Sequence, residues 1–500
     1  MTAGGPLADA HERPGSPTLA AYRQARAALD DAVEAAGGAA RLRAIRTVLV
    51  ERRGHLHMRN QSPRPEGPYL ELGRTGRLAL DLVGGRAVFE RVGEFAGGYV
   101  DALRTVLAPE GGCELDLHLR TVRPYPGLGP AHFEWVHRIV PPLLLRRALE
   151  RRSTLRPLGT TERDGAPCDA VGFAWSDGSA FTLHLDAATR MVRSYELLAT
   201  DRLAGDSAVE FAFSGWRREA GVAVPGRLVH RAAGETTAVF DNERVAVDEP
   251  LARELFAVPE GFETCAPAPA GPARHRPLGD GVWLLEGLGG RMAYNALVVV
   301  LRHGVLVAEA PLSSAVGEEV LGHVRELAPG RPVRWLVLTH HHDDHSAGMR
   351  PFVAEGATLV TTEGNRDFFA RMAAAPRTLE PDRQAEARRP VDFDFVRRRW
   401  SVSDGERTVE VHDVGATRAG RSPHVDEMLL VHLPGERLVF EGDLLNVPRD
   451  GPIAPASDTT VHFARVLDEL GLAAETIAGV HGTVGSRADL DRALALRGPA

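Results

Sequence analysis

Apolar positions recur at helical spacing over residues 19–36, and Gly37-Gly38 stops the run. A second short helix is predicted over 39–45. From there to about residue 262 the pattern turns strand-like. Residues 114–122 alternate through Leu115, Leu117 and Leu119. Residues 171–175 and 181–185 flank Ser176-Asp177-Gly178-Ser179, a hairpin signal. Residues 209–213 and 222–229 flank a turn near Gly221. The pattern predicts a polar segment and helix over 1–36, then a β-rich domain over 37–263. Residues 264–277 carry Pro267, Pro269, Pro272 and Pro277 and predict a semi-rigid Pro/Ala linker.

After the linker, strands and helices alternate, which predicts a separate layered domain over 278–500. A hairpin turns at His303-Gly304, and Ser313 or Ser314 caps a helix carrying Val316, Val320, Val324 and Leu327. Strands are predicted at 358–361, 428–433, 437–440 and 476–480, and helices near 346–355, 368–369 and 459–470. The fold class expected is α+β.

Composition narrows the picture. At 500 residues the chain is too long for one core. Its 44% hydrophobic and 25% charged residues are ordinary for a soluble protein. A net charge of −8 argues against a nucleic-acid partner. All 59 basic residues are arginine, which excludes a lysine Schiff base. Cys113, Cys168 and Cys265 lie far apart and support neither a disulfide framework nor a thiolate metal site. Residues 1–17 lack a basic then apolar leader pattern, so a cytoplasmic location is expected. No apolar run is long enough to span a membrane, so stable insertion is not expected. The amphipathic stretch 141–152 is read as a core-packed helix.

The chemistry concentrates in His340-His341-His342-Asp343-Asp344-His345, directly after the apolar run Leu336-Val337-Leu338. Imidazoles and a carboxylate packed this tightly are ligands for zinc or a similar borderline cation. Such a hexamer arises by chance in roughly one chain in several hundred, so it is a strong motif. Alternation in an extended loop lets His340 and His342 point the same way, leaving Asp344 and His345 for a second ion. His412 and His432 lie in strand patterns and read as structural. His55 and His57 mimic half a site, but no Asp-His follows them.

These residues resemble the metallo-β-lactamase superfamily, whose fold is an αβ/βα sandwich. The carrying motifs are Glu309 after a strand (where the family usually has Asp), then Thr339 to His345 with Ser346-Ala347-Gly348. Ser422-Pro423-His424, Phe440-Glu441-Gly442-Asp443 and Val480-His481-Gly482 follow in family order. The resemblance implies two Zn2+ ions, with Fe or Mn as alternatives. His340, His342 and His424 would hold one ion, Asp344, His345 and His481 the other, and Asp443 would bridge them. It also implies a bridging hydroxide as nucleophile, with Asp344 as catalytic proton acceptor. His341 and Asp343 are expected to point away, Asp343 orienting a ligand.

The chain further resembles bacterial metallo-hydrolase-like proteins of unassigned substrate, through Asn60-Gln61-Ser62, Pro65, Pro68-Tyr69, residues 309–312 and residues 374–379. The N-terminal half is somewhat similar to the lipoprotein-carrier half-barrel, through Gly37-Gly38 before Leu42 and Ile45 and through residues 256–259. Many such relatives would be exported. The function expected is a dinuclear-metal hydrolase of a small ester, lactone, thioester or related molecule. Lactam hydrolysis ranks lower because penicillin-type relatives generally lack the aspartate that Asp443 supplies. Homoserine-lactone hydrolases usually add a tyrosine between the bridging aspartate and the last histidine, and no tyrosine follows Tyr294. The alternatives are a mononuclear-iron dioxygenase using His340, His424 and Asp443, and an apolar-ligand carrier with a vestigial metal domain.

Overall fold

The computed structural model describes residues 16–95, 97–125, 130–267 and 271–498. The polar segment up to residue 15 lies outside the described residues. So do residues 268–270 of the expected linker.

The N-terminal part is β-rich. Among the described residues, fourteen strands form one sheet built from two meanders. They join where Thr47–His57 pairs antiparallel with Glu235–Val247. Helix Pro17–Ala36 starts at Ser16, whose hydroxyl accepts from the Leu19 N–H. It stops at Gly37, where φ is +130° and a Cβ would meet the Gly221 carbonyl oxygen at 2.6 Å. Its buried stripe, Ala25, Leu29, Ala32, Val33 and Ala36, packs against one face of the sheet. Helix Pro141–Glu150 adds Leu143, Leu144 and Leu145, all buried in that core with Trp175, Phe181 and Tyr195. The core-packed reading of this amphipathic stretch agrees with its burial. The chain's own helices thus cover the face that a carrier would keep open. A cavity left there, lined by Val50, Arg52, Leu78 and Ile139, has about 20 Å³, room for one water.

Three sequence expectations change in detail. Residues 114–122 are two strands, Gly111–Asp116 and Thr121–Tyr125, not one. Asp116 accepts from the His118 and Leu119 N–H groups, and this side-chain turn outcompetes the alternation of leucines. Residues 222–229 break at Pro225-Gly226 into Val222–Val224 and Arg227–Ala232. The expected linker ends in strand Arg274–Gly279, which pairs with Val282–Leu288. Cys265 at its start is buried, and its N–H donates to the Val122 carbonyl.

The C-terminal part has four layers. One sheet runs from Arg274–Gly279 through Val282–Leu288, Tyr294–Leu301, Gly304–Ala308, Val333–Val337 and Thr358–Thr361 to Phe393–Phe395. The other runs from Arg399–Ser403 through Thr408–Asp413, Leu429–Leu433, Leu438–Glu441 and Thr476–Gly479 to Gly485–Ser486. Val298, Val307 and Leu336 of the first meet Val411, Val431 and Phe440 of the second in one core. Helix Ser314–Leu327, capped by the Ser313 hydroxyl, packs on the first sheet through Val316, Val320 and Val324. Helix Asp458–Leu470 packs outside the second through Phe463, Val466 and Leu467, against Leu430, Val439 and Ile477. This is the αβ/βα sandwich expected, and its strand ends converge on one edge.

Polar contacts tie the two parts together. Asp206 accepts from the N–H groups of Thr378 and Leu379 and from the Thr378 hydroxyl. Arg123 forks onto Asp450, 2.5 Å at the closer oxygen. Among the described residues, no helix is long and apolar enough to cross a membrane.

Candidate metal centre

Strand Val333–Val337 is buried at Leu336 and Val337 and delivers Thr339 and the histidine loop to the sandwich edge. The Thr339 N–H donates to Glu309 Oε1 at 2.8 Å, and its carbonyl accepts from the Leu429 N–H at 2.7 Å. Both sheets therefore pin the start of the loop. Strand Leu438–Glu441 ends in the turn that carries Asp443. Glu441, fully buried, holds that turn by accepting from the Leu444 and Leu445 N–H groups. Burial pushes its carboxyl well above the usual range. His481 follows strand Thr476–Gly479, and His424 sits in the loop before Leu429–Leu433.

Seven side chains meet. Ligand-capable atoms of His340, His342, His424 and Asp443 lie within 4.8 Å of one another, as do those of Asp344, His345 and His481. The two oxygens of Asp443 divide between the groups. Oδ2 lies 2.8 Å from His424 Nε2 and 3.6 Å from His340 Nε2. Oδ1 lies 2.9 Å from His481 Nε2 and 3.1 Å from His345 Nε2. Asp344 Oδ2 is 3.5 Å from His481 Nε2 and 3.7 Å from His345 Nε2.

The donor set fits a pair of metal ions. His340 Nε2, His342 Nδ1, His345 Nε2, His424 Nε2 and Asp443 Oδ1 are buried without a hydrogen-bond partner. Orphaned buried nitrogens are costly unless something else takes their lone pairs. Ligands 2.0–2.1 Å from a tetrahedral zinc sit about 3.4 Å from one another. The separations here, 2.8 to 3.7 Å, bracket that value. Burial and neighbouring imidazoles hold His340 and His342 well below the usual histidine range, so both are neutral, the form that ligates. Burial alone would lower His345, but Asp443, Asp344 and Glu309 outweigh it and raise it.

The outer atoms are fixed too. His340 Nδ1 lies 3.0 Å from Thr339 Oγ1, and His345 Nδ1 lies 3.3 Å from Glu309 Oε2. His342 Nε2 sits 2.9 Å from the Ser62 carbonyl and donates to it, which leaves Nδ1 free to face the site. Glu309 thus occupies the position the motif gave it and stands at ion-pair distance from His345. Asp343 turns away from the cluster, accepting from Asn60, Gln61 and Arg202. His341 also turns away, edge-on to Phe368.

Gly442 is required by close approach. A Cβ there would lie 2.6 Å from Thr339 Oγ1 and 3.2 Å from His340 Nδ1. Gly442→Ala is expected to displace His340, lowering metal content while costing about 1–3 kcal/mol in stability. Metal analysis beside a melting curve checks this. Unchanged metal content would mean the loop yields without moving the histidine.

Some participants escaped the sequence reading. The Tyr294 hydroxyl donates to Asp344 Oδ2 at 3.1 Å, and its ring stands edge-on to His481. Gln61 donates to Asp344 Oδ1 at 2.7 Å. No spacing rule points to Tyr294, whereas Asn60-Gln61-Ser62 stood out as a resemblance without a role. Elsewhere, His412 and His432 share the Glu410 carboxylate at 3.1 and 3.4 Å. His55 and His57 lie near the exposed Glu71, at 3.9 and 3.4 Å.

A family model described as "Metallo-beta-lactamase superfamily" matches residues 295–481. The C-terminal part thus carries, over residues 295–481, a domain of the metallo-beta-lactamase superfamily. Similar solved structures include the DIM-1 metallo-beta-lactamase at 16% identity and a TM-score of 0.35, covering 46% of this chain and 98% of that one. A metallo-beta-lactamase from Pontibacter korlensis aligns at 20% identity and a TM-score of 0.34, covering 46% of this chain and 100% of that one. One from Hirschia baltica aligns at 16% and 0.33, with the same coverage of each. No curated protein matches the chain.

Proposed function

We propose that the metallo-beta-lactamase domain is a dinuclear-metal hydrolase acting on a small ester, lactone, thioester or related molecule. The observation that carries this reading is the division of the Asp443 oxygens between two histidine groups. His340, His342, His424 and Asp443 Oδ2 would hold one ion. Asp344 Oδ2, His345, His481 and Asp443 Oδ1 would hold the other. Two divalent cations so placed supply Lewis acidity, bringing the pKa of water toward neutrality and polarising the bond to be cleaved.

The chain's own groups do the rest. Full burial of His340, His342 and His345 excludes bulk water from one side of the centre. His481, its side chain 29% exposed, marks the open side, where a substrate enters. Asp344 Oδ2 stands on that side, 3.5 Å from His481 Nε2, and the Asp344 carboxylate would be the group nearest to accept the proton that water gives up. Tyr294 steadies the same oxygen and stands edge-on to His481.

Metal analysis of the purified chain, joined to a screen of chromogenic esters, lactones and thioesters, tests this. The expected result is close to two zinc per chain, with hydrolysis abolished by a chelator and restored by zinc. One iron per chain with oxygen uptake would overturn the hydrolase reading in favour of an oxygenase. An intact chain with no metal would overturn both.

A further inference from the structure

The segment Asn60-Gln61-Ser62 lies in the connection between strands Thr47–His57 and Glu71–Asp81 of the N-terminal sheet. It reaches across to the metal domain and touches three residues of the histidine motif, and Pro63 after it touches a fourth residue nearby. Gln61 Nε2 has two hydrogens and two acceptors, Asp344 Oδ1 at 2.7 Å and Asp343 Oδ1 at 3.1 Å. Asn60 Nδ2 donates to Asp343 Oδ2 at 3.0 Å. The Ser62 carbonyl accepts from His342 Nε2 at 2.9 Å. The Pro63 carbonyl accepts from the Asp426 N–H, two residues beyond His424.

The segment is itself held. The Met58 N–H donates to the Leu70 carbonyl, and the Leu70 N–H donates to Ser62 Oγ. Arg59, 9% exposed, forks onto Asp201 at 2.8 and 3.3 Å and pairs with Glu235. The Arg59–Asp201 pair is buried and charge-assisted, and it loses little to water. A rigid piece of the N-terminal sheet therefore meets both halves of the metal centre.

The contact on Asp344 is selective. Gln61 takes Oδ1, which leaves Oδ2 to face His345 and His481. Tyr294 approaches Oδ2 from the metal domain. Without Gln61 the Asp344 carboxylate keeps the Tyr294 contact on Oδ2 but loses its donor on Oδ1, and Asp343 loses one of its three hydrogen-bond donors. We propose that Gln61 is a positioning residue of the metal centre, acting through Asp344, so that tight binding of the second ion depends on the N-terminal part. This rests on the dinuclear reading above. Outer contacts to metal ligands are worth about 10–100-fold in affinity.

The test uses the full chain, stripped of metal and titrated with Zn2+ by calorimetry, with Co2+ absorption as a second readout. Gln61→Met keeps length and removes both donors. Gln61→Glu keeps shape and sets a carboxylate against Asp343 and Asp344. The parent should give two binding events. Both variants should keep the first event within about threefold and weaken the second by about 10–100-fold. The second increment of the Co2+ spectrum should change alike. Two events at parental affinity in both variants would overturn the proposal. So would equal weakening of both events with a lower melting temperature of the metal-free chain, the mark of a merely structural role. A parent that takes up neither Zn2+ nor Co2+ would instead remove the dinuclear reading, and this proposal with it.

Discussion

Asp443→Asn is expected to bind one zinc ion tightly where the parent binds two. The amide keeps the shape of the carboxylate but loses its charge, which offsets repulsion between two cations held close together. It also loses symmetry. Asp443 turns one oxygen to His424 and His340 and the other to His481 and His345. An asparagine must turn its NH2 group to one of these pairs, and an NH2 group has no lone pair for a metal. The first group keeps three imidazoles, with His340 and His342 fully buried. The second depends on His481, 29% exposed, and on Asp344, itself held from outside. The second ion is therefore the one that weakens. Hydrolysis should fall by more than the roughly 10–100-fold of an outer-shell change, even in excess zinc. Calorimetry reads the ions and a chromogenic assay reads the rate. Two equally tight events in the variant would mean that Asp443 is not shared, and the ligand map would have to be redrawn.

The centre was legible because its residues obey local rules. Ligands in one loop or at strand ends leave a short motif or a polar residue after an apolar run. His340 to His345, Asp443 after Phe440-Glu441-Gly442 and His481 after Val480 all do so. The layered C-terminal fold was legible for the same reason: buried strands such as Gly304–Ala308 are apolar throughout and are punctuated by glycine and proline. What escaped was long-range. Gln61 lies 283 positions from Asp344, and Tyr294 lies 50. Neither has a spacing that betrays its target. The fourteen strands of the N-terminal sheet were recognised as strand-rich, but their joining through Thr47–His57 and Glu235–Val247 pairs ends far apart in sequence. The residues 114–122 misled because a side-chain turn at Asp116 is invisible to a period-two pattern.

Arg350→Met is expected to be among the most destabilising single changes in the metal domain. Arg350 opens helix Arg350–Glu355 and is 1% exposed. It forks onto Asp382 at 2.6 and 2.9 Å and donates to the carbonyls of Met372, Ala373 and Ala375. One guanidinium thus closes the end of helix Arg366–Ala374 and anchors the segment that follows. That segment carries Thr378 and Leu379, whose N–H groups bind Asp206 of the N-terminal part. Methionine fills much of the volume but leaves Asp382 and three carbonyls without the cation. Breaking a buried pair on one side costs about 3–5 kcal/mol. Asp382 keeps Ser314 and the Ala385 N–H as donors, so the lower end of that range is expected. Removing both charges, Arg350→Met with Asp382→Leu, should cost less than the single change, because no lone charge is left behind. The pH response gives a second reading. Burial would raise the Asp382 carboxyl, but Arg350, Ser314 and the Ala385 N–H outweigh it and bring it down to about 2 from 3.8. A depressed acid stabilises the fold above its unfolded pKa and loses that contribution as pH falls through its folded one. The parent should therefore lose this stability between about pH 4 and pH 2, and Arg350→Met should lose less of it there. Urea unfolding across that range measures both effects. A variant within 1 kcal/mol of the parent at neutral pH, about a fivefold change in equilibrium, would show that the segment is held without the arginine.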